Sequence, residues 1–449
     1  MRKDRKASRR SSPSPAKPAP PPPSGTVIAR DGAGRNRAVF LMLGAAILAF
    51  LATLPWQRRQ WAQVARTRQM SALQETRAKE IARAHQELAA AEERVRAAPD
   101  NAEARIAAAR ILAERRDLPR AAAHLRAVES AAQHSPGLAG TLSGLYQKIG
   151  YLDRALAMAR LEKRLAPESP SALLNLGFLH LQLGWQTKVR DLFRQAAKRA
   201  PDSAEPHLAL ALWHDQAGDL EEAGKELAAA DRLRPGDWQI ALLRAQNFQA
   251  RGRYDKALET LEAGMERHPT QPQLYAQRAH LLLEQARSRV TKGLDAFGPT
   301  VREAQRCLSL DPNNADAHFI LGKVYRDAGD EVRAIRAWER VLQINPEYPS
   351  LRLNLGRLLV HQGQRARGLA LIEADRRARA EADEFNRLVT LAGMKLEDMG
   401  RRRELARWCQ AHGRLSRAIL EWEEVLARLP EDPEAARNLR ACKARRGDP

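Results

Sequence analysis

Histidine is the side chain of this sequence most able to hold a metal, but its spacing gives that role little support. His180 and His214 lie 34 residues apart, and His207 precedes His214 by seven residues. A metal site needs such proximity, yet no acid or cysteine nearby completes a ligand set. We therefore expect these three side chains to pack in a core or an interface.

The sequence gives equally little support for a catalytic nucleophile or a phosphate-binding loop. Cys307, Cys409 and Cys442 form no CxxC pair and are too few for a disulfide framework, so we expect Cys307 and Cys409 to be buried thiols. The chain has no HExxH helix, no phosphate loop ending in Gly-Lys-Ser/Thr and no GxSxG elbow. The sequence predicts no enzyme activity, no cofactor, no metal and no small-molecule substrate.

Composition favours helices over strands. Ala, Leu, Arg and Glu dominate, and aromatic residues make up 5% of the chain. The formal net charge of +21 suggests an acidic partner, but ten Lys and Arg residues precede residue 38. Later Arg residues alternate with acids along helices and form no basic-aromatic stripe, which favours ion-paired faces over nucleic-acid binding.

The N-terminal region divides into a tail, an apolar segment and a stalk. Residues 1–37 are basic and rich in Pro, a composition that predicts disorder. Residues 38–56 are uncharged and nearly all apolar, and a helix of this length spans about 30 Å, which predicts a transmembrane helix. A cleaved signal peptide is the alternative.

The distribution of cations around this segment predicts its orientation. Ten Lys and Arg residues precede it, and four Arg residues follow it within twenty positions. We therefore expect the N-terminus in the cytoplasm and, in a bacterial cell, everything after residue 57 in the periplasm. Residues 57–98 contain neither Gly nor Pro, and this pattern predicts a helical stalk.

The predicted stalk carries a short heptad-like apolar seam. Ile81, Leu88 and Val95 recur at a spacing of seven, with Ala84 and Ala91 between them. This seam is too short to decide between a two-stranded coiled coil and packing onto the helices that follow.

A 34-residue period is the strongest pattern in the chain. Two parallel series carry it: Pro167, Pro201, Pro235, Pro269 and Gly150, Gly184, Gly218, Gly252. The clearest copies contain Leu176-Gly177 with Phe193, Leu210-Ala211 with Ala223, and Leu321-Gly322 with Trp338. This pattern resembles the tetratricopeptide repeat family.

The resemblance implies an all-α superhelical solenoid of antiparallel helix pairs. About nine repeats cover residues 99–430, with insertions near 287–299 and 376–398, and residues 431–449 form a capping helix and tail. We expect the first insertion to extend the helix pair around Arg287 to Gly293 and to form a loop at 297–299, and the second to supply an extra helix over 380–399. Small residues at the eighth and twentieth places would let paired helices cross closely, and the mid-repeat Gly would end the first helix.

The first helices of such an array line a concave groove, which is the expected surface for a protein or peptide partner. The resemblance favours a membrane-anchored scaffold, with an accessory subunit of a cell-envelope enzyme complex (cytochrome c maturation, secretion or polysaccharide assembly) as the alternative. The last groove positions form a basic stretch suited to an acidic segment. The groove candidates are Gln182, Asp215, Gln246, Gln249, Lys323, Arg326, Arg357 and His361.

Overall fold

The computed structural model describes residues 82–83, 85–288 and 294–448, and all of its described residues beyond position 83 belong to one compact unit. The described residues are helical and contain no strand. The helices are α1 (85–97), α2 (Ala102–Glu114), α3 (Leu118–Arg126), α4 (Glu129–Ala132), α5 (Pro136–Lys148), α6 (Leu152–Leu165), α7 (Pro170–Gln182), α8 (Val189–Arg199), α9 (Ala204–Gln216), α10 (Leu220–Leu233), α11 (Trp238–Ala250), α12 (Tyr254–Arg267), α13 (Pro272–Ser288), α14 (Gly298–Leu310), α15 (Ala315–Asp327), α16 (Glu331–Ile344), α17 (Leu351–His361), α18 (Arg365–Met394), α19 (Met399–Ala411), α20 (Leu415–Arg428) and α21 (Pro433–Arg446).

Local sequence explains where these helices begin and end. Asn101, Ser135 and Asn314 precede helices and accept a hydrogen bond from a backbone N–H of the first turn. At the other end, Gly184 and Gly329 have φ of 73° and 83°, a left-handed conformation that favours glycine. The predicted role of the mid-repeat glycine is confirmed.

Paired helices cross closely at the eighth repeat position, as the sequence predicts. A Cβ atom added to Gly322 would collide with the indole of Trp338, and one added to Gly177 would collide with the ring of Phe193. Trp338 and Phe193 are fully buried. These large residues therefore cover the small residue of their own repeat, and Trp338 also contacts the apolar core that the next helix, α17, helps to form.

The stalk sequence is described only in part. Leu88, Ala91 and Val95 of α1 are buried, and Ala91 and Val95 share a core with Ala108 of α2. For these residues the structure favours packing onto the first repeat over a coiled coil. No helix among the described residues has the length and apolar character needed to cross a membrane. The predicted tail (1–37), transmembrane helix (38–56) and stalk residues 57–81 lie outside the described residues.

The two insertions fold differently from the sequence expectation. Helix α13 runs to Ser288, residues 289–293 lie outside the described residues, and a short 3-10 turn at Leu294–Phe297 leads into α14. Gly298 and Pro299 were expected in a loop, but they form the first turn of α14. Proline is tolerated there because the backbone N–H groups of a first turn have no partner within the helix. The extra helix expected over 380–399 is not separate, because Arg365–Met394 is one helix of 30 residues.

The middle of α18 explains why this helix can continue without a core beneath it. Residues 376–383 are all exposed. Ion pairs one turn apart flank or enter this segment, including Arg377 with Glu373 and Arg379 with Asp375. Its end is apolar again, and Leu388 and Ala392 join a core formed with α19, α20 and α21. Helix α18 therefore bridges two cores through solvent.

The array closes on itself, which the sequence did not predict. Helix α20 packs against α6, and α18 packs against the 3-10 turn Gln186–Lys188. Leu420 of α20 belongs to the N-terminal apolar core, together with Leu156 and Trp185. Since successive helices from α6 to α20 also pack on one another, these contacts complete a closed circuit of helices.

Candidate functional site

One column of side chains follows the groove from repeat to repeat. Gln246, His280, Lys323 and Arg357 immediately follow the small residue at the eighth repeat position, on α11, α13, α15 and α17. Gln246 and Arg357 are exposed, and His280 and Lys323 are partly buried. The column changes along the array from a neutral amide to two cations.

A polar cavity of about 290 Å³ lies beside this column and spans three successive repeats. Gln246, Gln277 and His280 form one side of its lining, and Phe319 and Tyr348 form another. The Tyr348 hydroxyl donates a hydrogen bond of 2.7 Å to Asp316. Burial and this carboxylate raise the pKa of Tyr348, so the hydroxyl stays protonated.

Amide side chains connect the helices at the edge of this cavity. The Gln277 amide donates a 2.6 Å hydrogen bond to Gln249, whose own amide lies 3.2 Å from Nδ1 of His280. Burial, followed by repulsion from Lys323, lowers the pKa of His280. The imidazole is therefore neutral near pH 7 and can accept this bond. Gln246 makes no side-chain hydrogen bond within the described residues and is free to bind a ligand.

The cationic end of the groove contains both paired and unpaired charges. Lys323 lies 5.1 Å from the centre of the Phe319 ring, and within the described residues it has no ion-pair partner. Burial and then repulsion from Arg287 lower the pKa of Lys323. Arg357 is exposed and likewise has no ion-pair partner in the described part of the chain. Both cations are available to an anionic group.

A second cavity, of about 280 Å³, lies on the other side of Gln246. Its lining is mainly apolar and includes Leu212, Leu227 and Leu243. Leu212 is 37% exposed, and Asp215 also lines this cavity. The structure thus places Gln246 in the lining of both cavities.

The other candidate residues are occupied by neighbouring side chains. Gln182 accepts a 2.7 Å hydrogen bond from Gln147, and His361 lies 2.9 Å from Glu331. Arg326 pairs with Asp327 at 2.7 Å and also lies over the ring of Trp338. These contacts make Arg326 and His361 poorer candidates for a ligand than Lys323 and Arg357.

A buried charge cluster at the closure is a feature that sequence reasoning missed. Glu421 is fully buried and forms ion pairs of 2.6 Å with Arg402 and 2.8 Å with Arg417. The Arg402 guanidinium lies 4.8 Å from the centre of the Trp185 ring, and Arg417 donates a 2.9 Å hydrogen bond to the Leu183 carbonyl. The cluster thus joins α19 and α20 to the end of α7.

A second ion cluster lies at the C-terminal end of the same closure. Arg446 forms a 2.6 Å ion pair with Asp153 and also pairs with Asp448, and Asp448 lies 2.7 Å from Arg126. The Arg446 guanidinium stacks over the ring of Tyr151 at 4.6 Å. The only sequence signal for these two clusters is the presence of charged residues on helix faces that are otherwise apolar.

The histidine and cysteine predictions can be compared directly with the structure. His180 and His214 pack edge-on against Trp185 and Trp213, whereas His207 lies 2.7 Å from Glu226. The described residues contain no group of three potential metal ligands. All three cysteines are buried, as expected for Cys307 and Cys409, and burial raises the pKa of each of those two thiols to about 12.

Comparison with protein families assigns the repeats. Tetratricopeptide repeat models match residues 190–237, 303–336 and 325–391. The chain contains tetratricopeptide repeats. The predicted repeat type and the all-α solenoid are therefore confirmed. Proteins with this repeat are in general non-catalytic scaffolds.

Solved structures similar to this tetratricopeptide array have low sequence identity. A tetratricopeptide repeat protein from Parabacteroides merdae is 17% identical, with 57% of this chain and 98% of that chain covered and a TM-score of 0.46. Human IFIT1 bound to m7Gppp-AAAA is 18% identical, with 72% and 80% covered and a TM-score of 0.45. Neither likeness identifies a ligand for this array.

One curated relative is more similar in sequence. Cellulose synthase operon protein C of Pseudomonas fluorescens (strain SBW25) is 30% identical over 169 residues. The match covers 35% of this chain and 13% of that protein. The similarity therefore concerns a short part of a much longer protein.

Proposed function

We propose that this chain is a scaffold whose tetratricopeptide groove binds a polypeptide segment of a partner protein. The observation that supports this proposal most directly is the pair of unpaired cations, Lys323 and Arg357, at equivalent places on α15 and α17. Unpaired charges gain more from an oppositely charged ligand than charges that are already neutralised by neighbours.

Affinity capture with a charge-reversed groove tests the proposal. Lys323→Glu combined with Arg357→Glu should lose the partners that the unchanged chain captures from intact membranes after crosslinking. Arg232→Glu is the matched control, because Arg232 is an exposed cation on α10, outside the groove column. Identical partners for the groove variant and the unchanged chain would refute binding at these cations.

We also propose that residues 38–56 anchor the chain in a membrane, with the N-terminus in the cytoplasm and the array on the opposite side. The support is the uncharged segment itself and the excess of cations before it. Protease protection in right-side-out spheroplasts should leave the array accessible to protease. An array that is protected there but digested in inverted vesicles would reverse the orientation.

A third proposal is that the scaffold serves as an accessory subunit of a cell-envelope enzyme complex. The similarity to cellulose synthase operon protein C favours polysaccharide assembly among the alternatives. Co-purification from detergent-solubilised membranes, followed by mass spectrometry, tests it. Recovery of envelope synthase subunits would support the proposal, and recovery of partners without any envelope enzyme would exclude it.

A further inference from the structure

The two groove cavities form one continuous surface because they share Gln246. The apolar cavity is lined by residues of α9, α10 and α11, and the polar cavity by residues of α11, α13 and α15. Lys323 and Arg357 follow on α15 and α17. In order along the groove, a ligand would meet an apolar pocket, a row of amides and then two cations.

Each part of this surface is suited to a different part of a polypeptide. The apolar cavity of about 280 Å³ has room for one large aliphatic or aromatic side chain, and Leu212 in its lining is partly exposed. Gln246 offers an N–H donor and a carbonyl acceptor, the two groups that pair with an extended backbone. A helical ligand has already paired its own backbone groups, so the amide row favours an extended one.

We propose that the groove selects an extended segment with one large apolar residue in the Leu212 cavity and an acidic group at Lys323 and Arg357. Packed helices lie roughly 8–10 Å apart, so the three steps from α9 to α15 span roughly 25 Å. An extended chain advances about 3.3 Å per residue, which places the apolar and acidic groups about eight residues apart. This inference rests on the proposed groove function and adds the chemistry of its ligand.

Charge complementarity decides the acidic end. Lys323 faces Arg287 and Arg326 as well as Glu284 and Asp327, but Asp327 pairs with both arginines at 2.7 Å. Glu284 in turn lies 3.5 Å from Arg287, so both carboxylates near Lys323 already have an arginine partner. Arg357 adds a second cation one repeat further on. A carboxylate of the ligand would bind beside two cations that have no ion-pair partner in the described part of the chain.

Selection from a library of random 12-residue peptides displayed on phage tests this inference on the full chain in mild detergent. Enriched peptides should carry an apolar residue and an Asp or Glu about eight positions apart. With Lys323→Glu/Arg357→Glu, the acidic preference should change to Lys or Arg. With Leu212→Asp, the apolar preference should disappear. A synthetic fluorescent peptide of the enriched type should bind each variant at least about tenfold more weakly.

Two control substitutions match these changes outside the groove column. Arg232→Glu reverses an exposed cation of α10, and Leu369→Asp replaces a leucine of α18 that is 48% exposed. Both should leave the enriched pattern unchanged. Circular dichroism and melting temperature would verify folding of all four variants, and Leu212→Asp should fold because its side chain is already partly in solvent.

The outcomes separate this inference from the function on which it rests. No enriched peptide at all would refute peptide binding by the array. Enriched peptides without the apolar and acidic pair would overturn the ligand class while leaving peptide binding intact. The expected pattern with no response to Lys323→Glu/Arg357→Glu or Leu212→Asp would place the binding surface elsewhere and overturn both.

Discussion

Replacing Glu421 by Gln tests whether the buried charge cluster holds the closure of the array. The change keeps the size of the side chain and removes the negative charge that neutralises Arg402 and Arg417. Because Glu421 is 0% exposed and Arg402 is 2% exposed, water cannot replace the lost charge. The two guanidinium groups would then repel one another in a buried place.

The size of the effect follows from this burial. Removing one partner of a buried ion pair costs about 3–5 kcal/mol, because the other charge remains buried without compensation. Partial relief comes from separation of α20 from Trp185 and Leu183, which would let water reach both arginines. We therefore expect part of the loss to appear as opening of the closure and the rest as lower stability of the α19–α20 pair.

Urea denaturation and amide hydrogen exchange measure these two effects separately. Glu421→Gln should lower the free energy of unfolding by about 3 kcal/mol or more. Exchange should accelerate in residues 183–189 and 385–396, on the two sides of the closure, while residues of α11 to α13 keep their protection. Small-angle X-ray scattering should show a larger radius of gyration.

A matched control and a rescue make the test decisive. Glu424→Gln breaks the 2.6 Å pair with Arg160, whose side chain is 46% exposed, and should cost only about 0–1 kcal/mol. Replacing Arg402 and Arg417 by Met together with Glu421 by Leu should recover most of the stability, since apolar groups can replace a buried ion cluster. If Glu421→Gln costs no more than Glu424→Gln, the cluster does not hold the closure.

Three further predictions concern the packing and titration of single residues. Gly322→Ala should lower the free energy of unfolding by about 1–3 kcal/mol in urea titrations, because the new methyl group would overlap Trp338. Burial lowers the pKa of His180 to about 4, so the unfolded chain binds a proton at a higher pH than the folded chain does. The free energy of unfolding should therefore fall by up to roughly 3 kcal/mol as the pH drops from 6.5 to 4. His180→Gln should reduce this pH dependence, and an unchanged pH dependence would contradict the assignment. Cys307 and Cys409 should react with a thiol reagent at pH 8 only after denaturation, and fast labelling of the native chain would show that these thiols are not buried.

The repeat geometry could be predicted because it depends on residues close in sequence. Gly322 and Trp338 belong to one helix pair, and their spacing alone indicates a close crossing. Gly329, with its left-handed backbone, is a local signal of the same kind. The column of groove residues followed from the same period, since each occupies the same place on a first helix. The sequence could not predict which of the groove cations lack an ion-pair partner. The pairing of Asp327 with Arg326 and Arg287 depends on side-chain rotamers.

The closure could not be predicted because it joins residues far apart in sequence at positions where the repeat is irregular. Arg446 meets Asp153, and Arg417 meets Leu183, with no periodic relation between the partners. The single long helix α18 could not be predicted for a related reason. Residues 376–383 have no apolar face, so their helical state depends on the cores at both ends of α18 and on ion pairs along it.

Irregular residues set the global shape of this array because a perfect repeat offers the same contacts to every neighbour. Gly393 illustrates the point: a glycine inside a helix costs roughly 1 kcal/mol relative to alanine, and it is not part of the 34-residue pattern. A Cβ at this position would collide with the Gly184 carbonyl, across the closure. The lower helix propensity of Gly393 therefore occurs at the point where the backbone of α18 contacts the backbone at the end of α7. Glu421 is a similar case, because a buried charge on an otherwise apolar helix face is stable only where a neighbouring surface supplies the opposite charge. Residues that weaken their own helix but fit one distant neighbour are thus the residues that fix where an array of equivalent repeats closes.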